Sequence, residues 1–387
     1  MTRYVPRPSC LLALVTLSAL LPGPAGAQKP AEDSDKFFAS GKVLHLSIEL
    51  GPKELQSLRT APRTYVRATL KDGEKTYNDV GVHLKGAAGS FRGIDDKPNL
   101  TLNMDKFVKK QTYRGMDKFH LANSLQDPSY VAEMICGELF RAGGVPASRV
   151  AHAVVTINGR RRGLYYIKEG YDRFFLERHF GTRKGNLYDG GFLRDIDQPL
   201  QVLSSRDDVK GHKDLEALAA AAREGNPAVR FQKLEKLLDL DRFLSYLALQ
   251  VITWDWDGYP MNRNNYRIYH DPKRDKIVFI PSGMDQMFAD PNGTLFPNFQ
   301  GFVARALIDT AEGRKRYLVR MDEIMKKLYK PDELVKRLDG LQKRVQPALQ
   351  SVDPGAGRDY PHHVNRLRQA VQQRAKSIDD QLKRLKK

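Results

Sequence analysis

Cysteine and long apolar runs are both scarce in this sequence. The chain of 387 residues contains two cysteines, and one of them, Cys10, lies in a segment that we expect to be removed. Cys136 then remains alone, so an intrachain disulfide is excluded and the fold must depend on a packed core. After the N-terminal segment, no run approaches the ~20 apolar residues of a membrane-spanning helix. The nine histidines lack the spacing of a ligand cluster, which argues against a zinc site.

Residues 1–27 have the organisation of a secretory signal peptide. Arg3 and Arg7 precede a short apolar run over 11–21, and a Pro-Gly-Pro break leads into an Ala-Gly-Ala pattern that ends at Ala27. The apolar run is too short to cross a bilayer. The sequence therefore predicts export through a cleaved signal, to the periplasm, the cell surface or the medium.

The remaining chain is strongly basic. The formal net charge is +18, and the signal carries two arginines and no acid, which leaves 18 − 2 = +16 after cleavage. Such a charge favours anionic partners. The basic residues are spread along the chain, however, and form no helix-turn-helix or RNA-binding motif. The pattern favours a solvated basic surface and makes a nucleic-acid partner unlikely on the sequence alone.

Hydrophobic periodicity predicts strands first and helices later. Residues 28–42 are polar and are predicted to form a flexible lead. Alternating apolar residues then predict an antiparallel β-rich half, with hairpin turns at 72–73 and 158–159 and one helix within 127–144. From about residue 212 helices dominate, apart from a hairpin that turns at Asp271-Pro272.

The domain prediction follows from this order of elements. We expect one domain over 43–330 and a helical extension over 331–387 that packs on it. The extension carries apolar residues at steps of three and four, as in a helix with one apolar stripe. The oligomeric state is not indicated.

One stretch, TWDWDGYPMNRNNYRIYHD at 253–271, has the spacing of a catalytic loop. Asp257 precedes Asn262 as Asp-x-x-x-x-Asn, the spacing with which protein kinases position a hydroxyl nucleophile and bind Mg²⁺. A predicted helix leads into the stretch, and a predicted hairpin leads out of it to Asp285. We therefore predict a phosphoryl-transfer site with Asp257 as the catalytic residue and with Asn262 and Asp285 as metal ligands.

Phosphoryl transfer also requires cations around the phosphate groups. Lys85 and Lys97 are the two candidate lysines, and Arg92 adds a further positive charge between them. Glu133, on the first predicted helix, is the candidate acid that fixes the lysine. The glycines at 86, 89 and 93 would allow the backbone to approach an anion closely.

Several segments in order resemble the CotH kinase family, which is related to a bacterial spore-coat protein. They are GVHLKG, FHLANSLQDPSYVAE, GLYYIKEGY, GNLYDG, DLDRFLSYLALQV, WDGYPMNRNNYRIYHDP and FIPSGMDQMF, over roughly residues 43–300. The resemblance implies an α+β, two-lobed fold like that of atypical protein kinases, with a β-rich N-terminal lobe and a mainly helical C-terminal lobe. It also implies that ATP and Mg²⁺ bind between the lobes and that phosphate passes to Ser or Thr of secreted or envelope proteins.

Carried over to this sequence, the resemblance implies the following positions. The catalytic position falls on Asp257, and the metal positions fall on Asn262, on the Asn264-Asn265 pair and on Asp285. Lys97 matches a phosphate-contact position. Glu169 matches a recurrent Glu whose role is either contact with the adenine side or structural, and the sequence favours neither.

Two alternatives to an active kinase remain. Many relatives have Trp-Asp where this chain has Ser282-Gly283, which favours a catalytically weak or inactive binding protein of the surface or envelope on the same fold. A Ca²⁺-binding module built on the oxygens of 255–265 is a weaker alternative, because the stretch departs from the EF-hand pattern.

Overall fold

The structure is a computed structural model that describes residues 30–87, 89–204 and 212–385. The predicted signal peptide therefore lies outside the described residues. No helix in the described ranges combines the length and the apolar character needed to cross a membrane.

Strands and helices are both abundant, which confirms an α+β protein. The strands are β1 (Val43–Glu49), β2 (Val66–Asp72), β3 (Lys75–Lys85), β4 (Asn99–Asn103), β5 (Lys118–Ala122), β6 (Val150–Ile157), β7 (Arg160–Glu169), β8 (Asn186–Asp189), β9 (Gln201–Ser204), β10 (Tyr266–Asp271) and β11 (Lys276–Pro281). The helices are α1 (Pro30–Ser40), α2 (Pro52–Thr60), α3 (Ala132–Ala142), α4 (Arg173–Phe180), α5 (Lys213–Ala222), α6 (Pro227–Leu237), α7 (Leu240–Ile252), α8 (Tyr259–Asn262), α9 (Phe302–Ile308), α10 (Ala311–Lys327), α11 (Pro331–Val352) and α12 (Pro354–Leu385).

The first seven strands close into a barrel in the order β1-β2-β3-β4-β5-β7-β6. Both predicted hairpins are confirmed: β6 pairs with β7 across the predicted turn 158–159, and β2 pairs with β3 across 73–74, one residue later than the predicted 72–73. Asn158 and Gly159 both have positive φ, as a tight hairpin turn requires. The predicted antiparallel pairing is confirmed throughout the barrel except between β1 and β6, which pair in parallel and thereby close it.

Two large cores lie on the two sides of the barrel wall. Alternate residues of the strands, such as Leu84 of β3 and Ile167 of β7, fill the barrel interior. The residues between them on β7, such as Tyr166, join a second core that is shared with the helices from α3 to α12. Because successive strand residues point to opposite faces, β6 and β7 contribute buried side chains to both cores, whereas the apolar residues of β2, β3 and β4 belong to the barrel interior alone.

The helix predicted to lead into 253–271 is confirmed as α7, and every residue from Phe243 to Ile252 is buried. Asp239 caps its N-terminus by accepting a hydrogen bond from the backbone N–H of Arg242. The predicted hairpin around 271 is confirmed as β10 and β11, which belong to a four-stranded sheet of order β11-β10-β8-β9. This sheet and α7 place the stretch 253–265 directly beside the barrel.

The lead predicted to be flexible contains helix α1. Phe37 is buried in the barrel core, and Asp35 forms an ion pair with Arg149 at the start of β6. Burial of one aromatic ring stabilises a short element by about 1.5–3 kcal/mol, which explains why a mostly polar segment is ordered.

Candidate functional site

A cleft of about 360 Å³ opens between the outer face of the barrel, α3 and the loop that follows α7. Its charged and amide side chains are Lys85, Lys168, Arg267, Glu133, Asp189, Asp257, Asp285, Asn99, Asn123, Gln126, Asn264 and Asn265. Residues that are distant in the sequence therefore meet here, with cations mainly on the barrel side and β10, and carboxylates mainly on the helical side.

A buried ion pair joins the barrel to α3 in this cleft. The Lys168 ammonium contacts the Glu133 carboxylate, and their side chains are 9% and 3% exposed. Strand alternation places Lys168 on the same face of β7 as Tyr166, whereas Glu133 lies in the first turn of α3. Burial opposes the charge on Lys168, but Glu133 together with Tyr171 and Asp285 outweighs it, and the pKa of Lys168 is raised. The pair therefore holds a fixed positive charge at the wall of the cleft.

Two further cations line the same wall. Lys85 ends β3, and burial together with the nearby Lys168 lowers its pKa to about 7. Arg267 of β10 forms an ion pair with Asp189 at 2.9 Å. Lys168 and Arg267 are each paired with an acid, and both disfavour the charged form of Lys85, which a bound polyanion such as a phosphate chain would favour.

Asp257 is surrounded by the amide groups of the asparagines that follow it. Asn262 donates to Oδ1 at 2.6 Å and Asn265 donates to Oδ2 at 2.8 Å. Asn264 donates to both carboxylate oxygens, at 3.2 and 3.1 Å. These donors fix the orientation of the Asp257 carboxylate at the edge of the cleft, as a residue that positions a substrate hydroxyl requires.

The backbone around Asp257 is strained. Trp254, Arg263 and Asn265 all have φ between +43° and +52°, a region that residues other than glycine adopt at a cost of about 1–3 kcal/mol. Gly283, at φ +59°, packs so closely on Asn265 that an added Cβ would lie 2.5 Å from Asn265 Oδ1. Such strain is concentrated at functional sites because it fixes side chains that relaxed backbone would not place. An aspartate at 283, as many relatives have, would have to adopt this positive φ and displace the Asn265 side chain.

Asp285 follows β11 and faces both the cleft and a neighbouring groove. Burial, together with the charge of Glu133, raises the pKa of its carboxyl to about 7, although Lys168 acts in the opposite direction. Asp285 forms no ion pair with any residue that the structure describes. A carboxyl in this position would gain from a bound cation.

A second buried acid, Asp255, lies beneath the loop. It is 1% exposed and accepts a hydrogen bond from Gln250 Nε2 at 2.8 Å. Burial raises the pKa of Asp255 well above its usual value. Gly258 packs against both side chains, so this group supports the loop from below. Over the described ranges there is no group of three or more His, Cys, Asp or Glu side chains spaced to hold a metal ion.

The loop after Lys85 crosses one end of the cleft. Gly86 has φ +100°, and Asn99 and Asn123 each donate an amide hydrogen bond to the Ser90 carbonyl, at 2.9 and 3.0 Å. The Asn123 side chain also donates to the Lys97 carbonyl at 2.9 Å. Asn99 of β4 and Asn123, which follows β5, thus fix the position of Ser90 in a glycine-containing loop that lines the cleft.

The structure brings together some of the candidate residues and separates others. Lys85, Glu133, Asp257, Asn265 and Asp285 line the cleft, and Asn262 reaches it through its bond to Asp257.

Three candidates do not reach the cleft. The Lys97 ammonium donates to Tyr130 Oη at 2.8 Å and lies over two tyrosine rings. Arg92 pairs with Asp96 at 3.4 Å on the surface. Glu169 is 1% exposed and is held by Arg149 and Arg178, because strand alternation turns it away from Lys168.

Lys168 and Arg267 were missed from the sequence. The signal for Lys168 is the alternation in GLYYIKEGY, where Leu164, Tyr166 and Lys168 share one face of the strand. A lysine in that series is placed against the second core, where only an acid partner makes it stable. Arg267 gave no comparable signal, since its partner Asp189 comes from a distant strand.

Comparison with known proteins places these observations in a family. The inner spore coat protein H of Bacillus subtilis is 23% identical over 266 residues, which cover 62% of this chain and 71% of that protein. The invasin CotH3 of Rhizopus delemar is 24% identical over 309 residues, which cover 71% of this chain and 50% of the invasin. This chain thus spans only half of its fungal relative.

Among solved structures, the proinflammatory kinase CtkA of Helicobacter pylori aligns with 78% of this chain and 97% of its own, at 10% identity and a TM-score of 0.36. The family model described as CotH kinase protein matches residues 82–378, which include every residue that lines the cleft. The chain belongs to the CotH kinase protein family.

Proposed function

We propose that this chain is an ATP-dependent protein kinase that transfers the γ-phosphoryl group to Ser or Thr of a protein, with Mg²⁺. One observation carries the proposal: a single cleft contains the Lys168–Glu133 ion pair, the additional cations Lys85 and Arg267, and the amide-bound Asp257. Phosphoryl transfer needs this combination of fixed cations and one oriented acceptor, and little else from the protein.

In this proposal the barrel acts as the N-terminal lobe, and the part from α5 onward acts as the mainly helical C-terminal lobe. Lys168 and Lys85 would contact the phosphate oxygens of ATP from the barrel side. Glu133 keeps Lys168 extended into the cleft, as the corresponding acid does in other kinases. Gly86, Ala87 and Ser90, which line the cleft, would approach the phosphates with their backbone.

The acceptor hydroxyl would bind to Asp257. Both carboxylate oxygens already accept amide hydrogen bonds, so one donor must move away before the carboxylate accepts a hydroxyl proton. Asn262 is the donor best placed to do so, because it contacts Oδ1 alone and ends the short helix α8. Its rotation would leave Oδ1 with only the longer bond from Asn264, at 3.2 Å, while Asn264 and Asn265 still hold the carboxylate in place.

Asp285 and Asn262 are the oxygen donors that would hold Mg²⁺ in this cleft. Asp285 is a carboxyl that burial makes hard to ionise and that lacks an ion-pair partner in the described ranges, so a bound cation would stabilise its charged form. Asn262, once rotated, offers an amide oxygen of the kind Mg²⁺ accepts. When bound, Mg²⁺ neutralises charge on the phosphates. Gly283 contributes no side chain, so Asp285 carries this role without a second acid from the same segment.

A groove of about 830 Å³ next to the cleft suits the protein substrate. Asp285 and Gln126 line both cavities, so the groove leads directly to the proposed transfer site. Its other wall is α12, which contributes the side chains of several glutamines, and Trp256 borders it with 42% of its surface exposed. Amide side chains that can pair with a peptide backbone, beside an exposed aromatic ring, would hold an extended polypeptide.

The sequence and the names of the relatives support a location outside the cytoplasm. The N-terminal pattern predicts export, and the related proteins are named as a spore coat protein and as invasins. We therefore place the substrate among secreted or envelope proteins. The alternative is a weak or inactive kinase fold that binds partners. The observation that favours it is the close packing of Gly283 against the Asn265 side chain.

Thermal unfolding with and without Mg-ATP separates the two functions. We expect Mg-ATP at about 100-fold over its Kd to stabilise residues 28–387 by ~2.7 kcal/mol. Asp285→Asn should abolish that shift and the transfer of labelled γ-phosphate to protein. Asp290→Asn is the matched control. Asp290 is exposed, and an asparagine at this position can still accept the hydrogen bond from the backbone N–H of Asn292.

An intact fold without any Mg-ATP shift would exclude the kinase function and leave the binding protein. A shift without phosphate transfer to any offered protein would support an inactive kinase fold.

A further inference from the structure

A second cavity, of about 280 Å³, lies between α1, α3, the start of β6 and α11. None of its lining residues lines the cleft. Five cationic side chains and two carboxylates surround it: Lys42, Arg141, Arg149, Arg337 and Arg344, with Asp35 and Glu138. The lining therefore carries an excess of three positive charges, or two if Glu169 behind Arg149 is included.

The carboxylates around this cavity are already engaged. Arg149 pairs with Asp35 and, at 2.7 Å, with the buried Glu169. Arg337 pairs with Glu138, also at 2.7 Å. These pairs account for the acids and leave the other guanidinium groups without a counter-charge.

Of the four arginines that line this cavity, Arg141 and Arg344 have no carboxylate partner in the described ranges. Arg141 donates to backbone carbonyls, of which the Ser148 oxygen at 2.8 Å is the nearer. The Arg344 guanidinium lies against Gly41, where an added Cβ would be 2.5 Å from its central carbon. Burial lowers the pKa of Arg344, and the neighbouring charge of Arg337 lowers it further.

Two unpaired guanidinium groups and the rim ammonium of Lys42 converge on a space that fits a small oxyanion. A guanidinium presents planar, paired N–H donors that match two oxygens of a phosphate at once. Such an anion would also offset the repulsion among the arginines, which the protein alone leaves uncompensated.

We propose that this cavity, which we call the α3–α11 anion site, binds a phosphate monoester or free phosphate through Arg141 and Arg344. The ligand would tie α3 to α11 and to the turn at Gly41 that joins α1 to β1. Because α3 also carries Glu133, on a different face, an occupied site would restrict movement of the helix that fixes Lys168. The binding itself does not depend on the proposed kinase activity.

The test is titration of residues 28–387 with inorganic phosphate and, separately, with O-phosphoserine, at constant ionic strength set with chloride. Kd is followed by thermal shift and by calorimetry. We expect Arg344→Gln to weaken phosphate binding at least tenfold. A tenfold change in Kd corresponds to about 1.4 kcal/mol, which is less than one hydrogen bond to a charged group contributes. Lys343→Gln removes the same charge from the exposed neighbouring position and should leave Kd unchanged.

Each outcome has a definite meaning. Loss of binding in Arg344→Gln and in Arg141→Gln, with Lys343→Gln unaffected, supports the site. Tighter binding of O-phosphoserine than of phosphate identifies a phosphorylated residue as the ligand, and the reverse identifies the free ion.

The proposal is wrong if Arg344→Gln still binds phosphate and Lys85→Gln does not, because the anion then occupies the cleft. No binding of either ligand to the unaltered protein also overturns it. The melting temperature of Arg344→Gln without ligand shows whether that variant is folded.

Discussion

At the scale of single residues, the Lys168–Glu133 pair is where folding and the proposed chemistry depend on the same atoms. Both side chains are almost fully buried, so each charge is tolerable only because the other is present. Removing one partner leaves an uncompensated charge in the protein interior. Removing both leaves a gap that apolar side chains fill.

This asymmetry gives a stability prediction that needs no activity. Lys168→Met should lower the free energy of unfolding by about 3–5 kcal/mol, the usual cost of breaking a buried pair. The double variant Lys168→Met/Glu133→Leu should recover at least about 2 kcal/mol of that loss. Urea unfolding at pH 7 measures both.

The exposed pair Lys326–Asp322 is the matched control, since the lysine is 67% exposed. Lys326→Met should cost less than about 1 kcal/mol. A double variant as unstable as Lys168→Met would mean that the pair is not the source of the loss.

His270 links β10 to α5 and makes part of the stability dependent on pH. It contacts Asp214 at 3.1 Å and Asp275 at 2.9 Å, and the bond to Asp214 raises its pKa although burial opposes this. Burial alone would raise the pKa of Asp214, but bonds from His270 and from two other side chains lower it to about 2.

The signs of the two shifts define a pH window. The raised pKa of His270 contributes stability below the unfolded value of ~6.5, and this is lost as pH rises through the folded pKa. The depressed pKa of Asp214 contributes stability above ~3.9, and this is lost as pH falls towards 2. The pair therefore stabilises most between about pH 4 and 6.5.

We expect His270→Gln to be most destabilising near pH 5.5, with a difference from the unaltered protein that shrinks towards pH 8. Free energies of unfolding from urea titrations at pH 5.5, 7 and 8 measure the difference. His45→Gln, at an exposed position of β1, serves as the control and should show no such trend. A His270→Gln difference that stays constant across this range would contradict the assignment.

At the scale of elements, the end of α7 is held from outside by α12. Arg374 is fully buried and donates to the carbonyls of Val251 at 2.8 Å and Ile252 at 3.1 Å, in the last turn of α7. It also donates to the Gly293 carbonyl and covers the Trp254 ring. A cation at a helix C-terminus is favoured both by the carbonyls of the last turn, which lack partners within the helix, and by the helix dipole.

Arg374→Met should therefore destabilise the protein by at least about 1.5–3 kcal/mol, because buried carbonyls lose a charged donor. Since Asp257 follows α7 directly, the same change should also weaken Mg-ATP binding in the thermal assay described above. Lys376→Met, two positions further on the exposed side of α12, is the control and should alter neither quantity. Unchanged stability in Arg374→Met would mean that water replaces the guanidinium at these carbonyls.

Local sequence signals were sufficient for some elements and not for others. The hairpins at 72–73 and 158–159 and the helix α7 follow from turn residues and periodicity, which act over a few positions. Closure of the barrel depends on β1 meeting β6, about a hundred residues away, and no local pattern encodes that pairing.

The same limit applies to the cleft. Asp257 and Asn262 have a recognisable spacing, whereas the identity of the lysine that meets Glu133 depends on which face of β7 turns towards α3.

At the scale of the whole molecule, the proposed boundary at residue 330 does not coincide with a boundary in the core. Ten buried apolar side chains from α11 and α12 belong to the same core as α3 and α7: Leu338, Leu341, Val345, Leu349, Tyr360, Val364, Leu367, Val371, Ile378 and Leu382. The family model also continues to residue 378. At ~1.5–3 kcal/mol each, these side chains contribute about 15–30 kcal/mol, more than the ~5–15 kcal/mol by which domains are stable.

A chain that ends at residue 330 should therefore fail to fold, whereas a chain that begins at residue 43 should fold. The second truncation removes α1, and with it Phe37 from the barrel core and Asp35 from its ion pair with Arg149. Arg149 keeps its other ion pair, with Glu169. Near-UV circular dichroism, gel filtration and urea unfolding of residues 28–330 and 43–387 compare the two. A cooperative unfolding transition for 28–330 would show that α11 and α12 form a separable extension. If 28–330 shows no cooperative transition while 43–387 does, the two helices complete the core beneath the candidate site. In that case α12 cannot be removed without losing the support that Arg374 gives to the end of α7 and the loop after it.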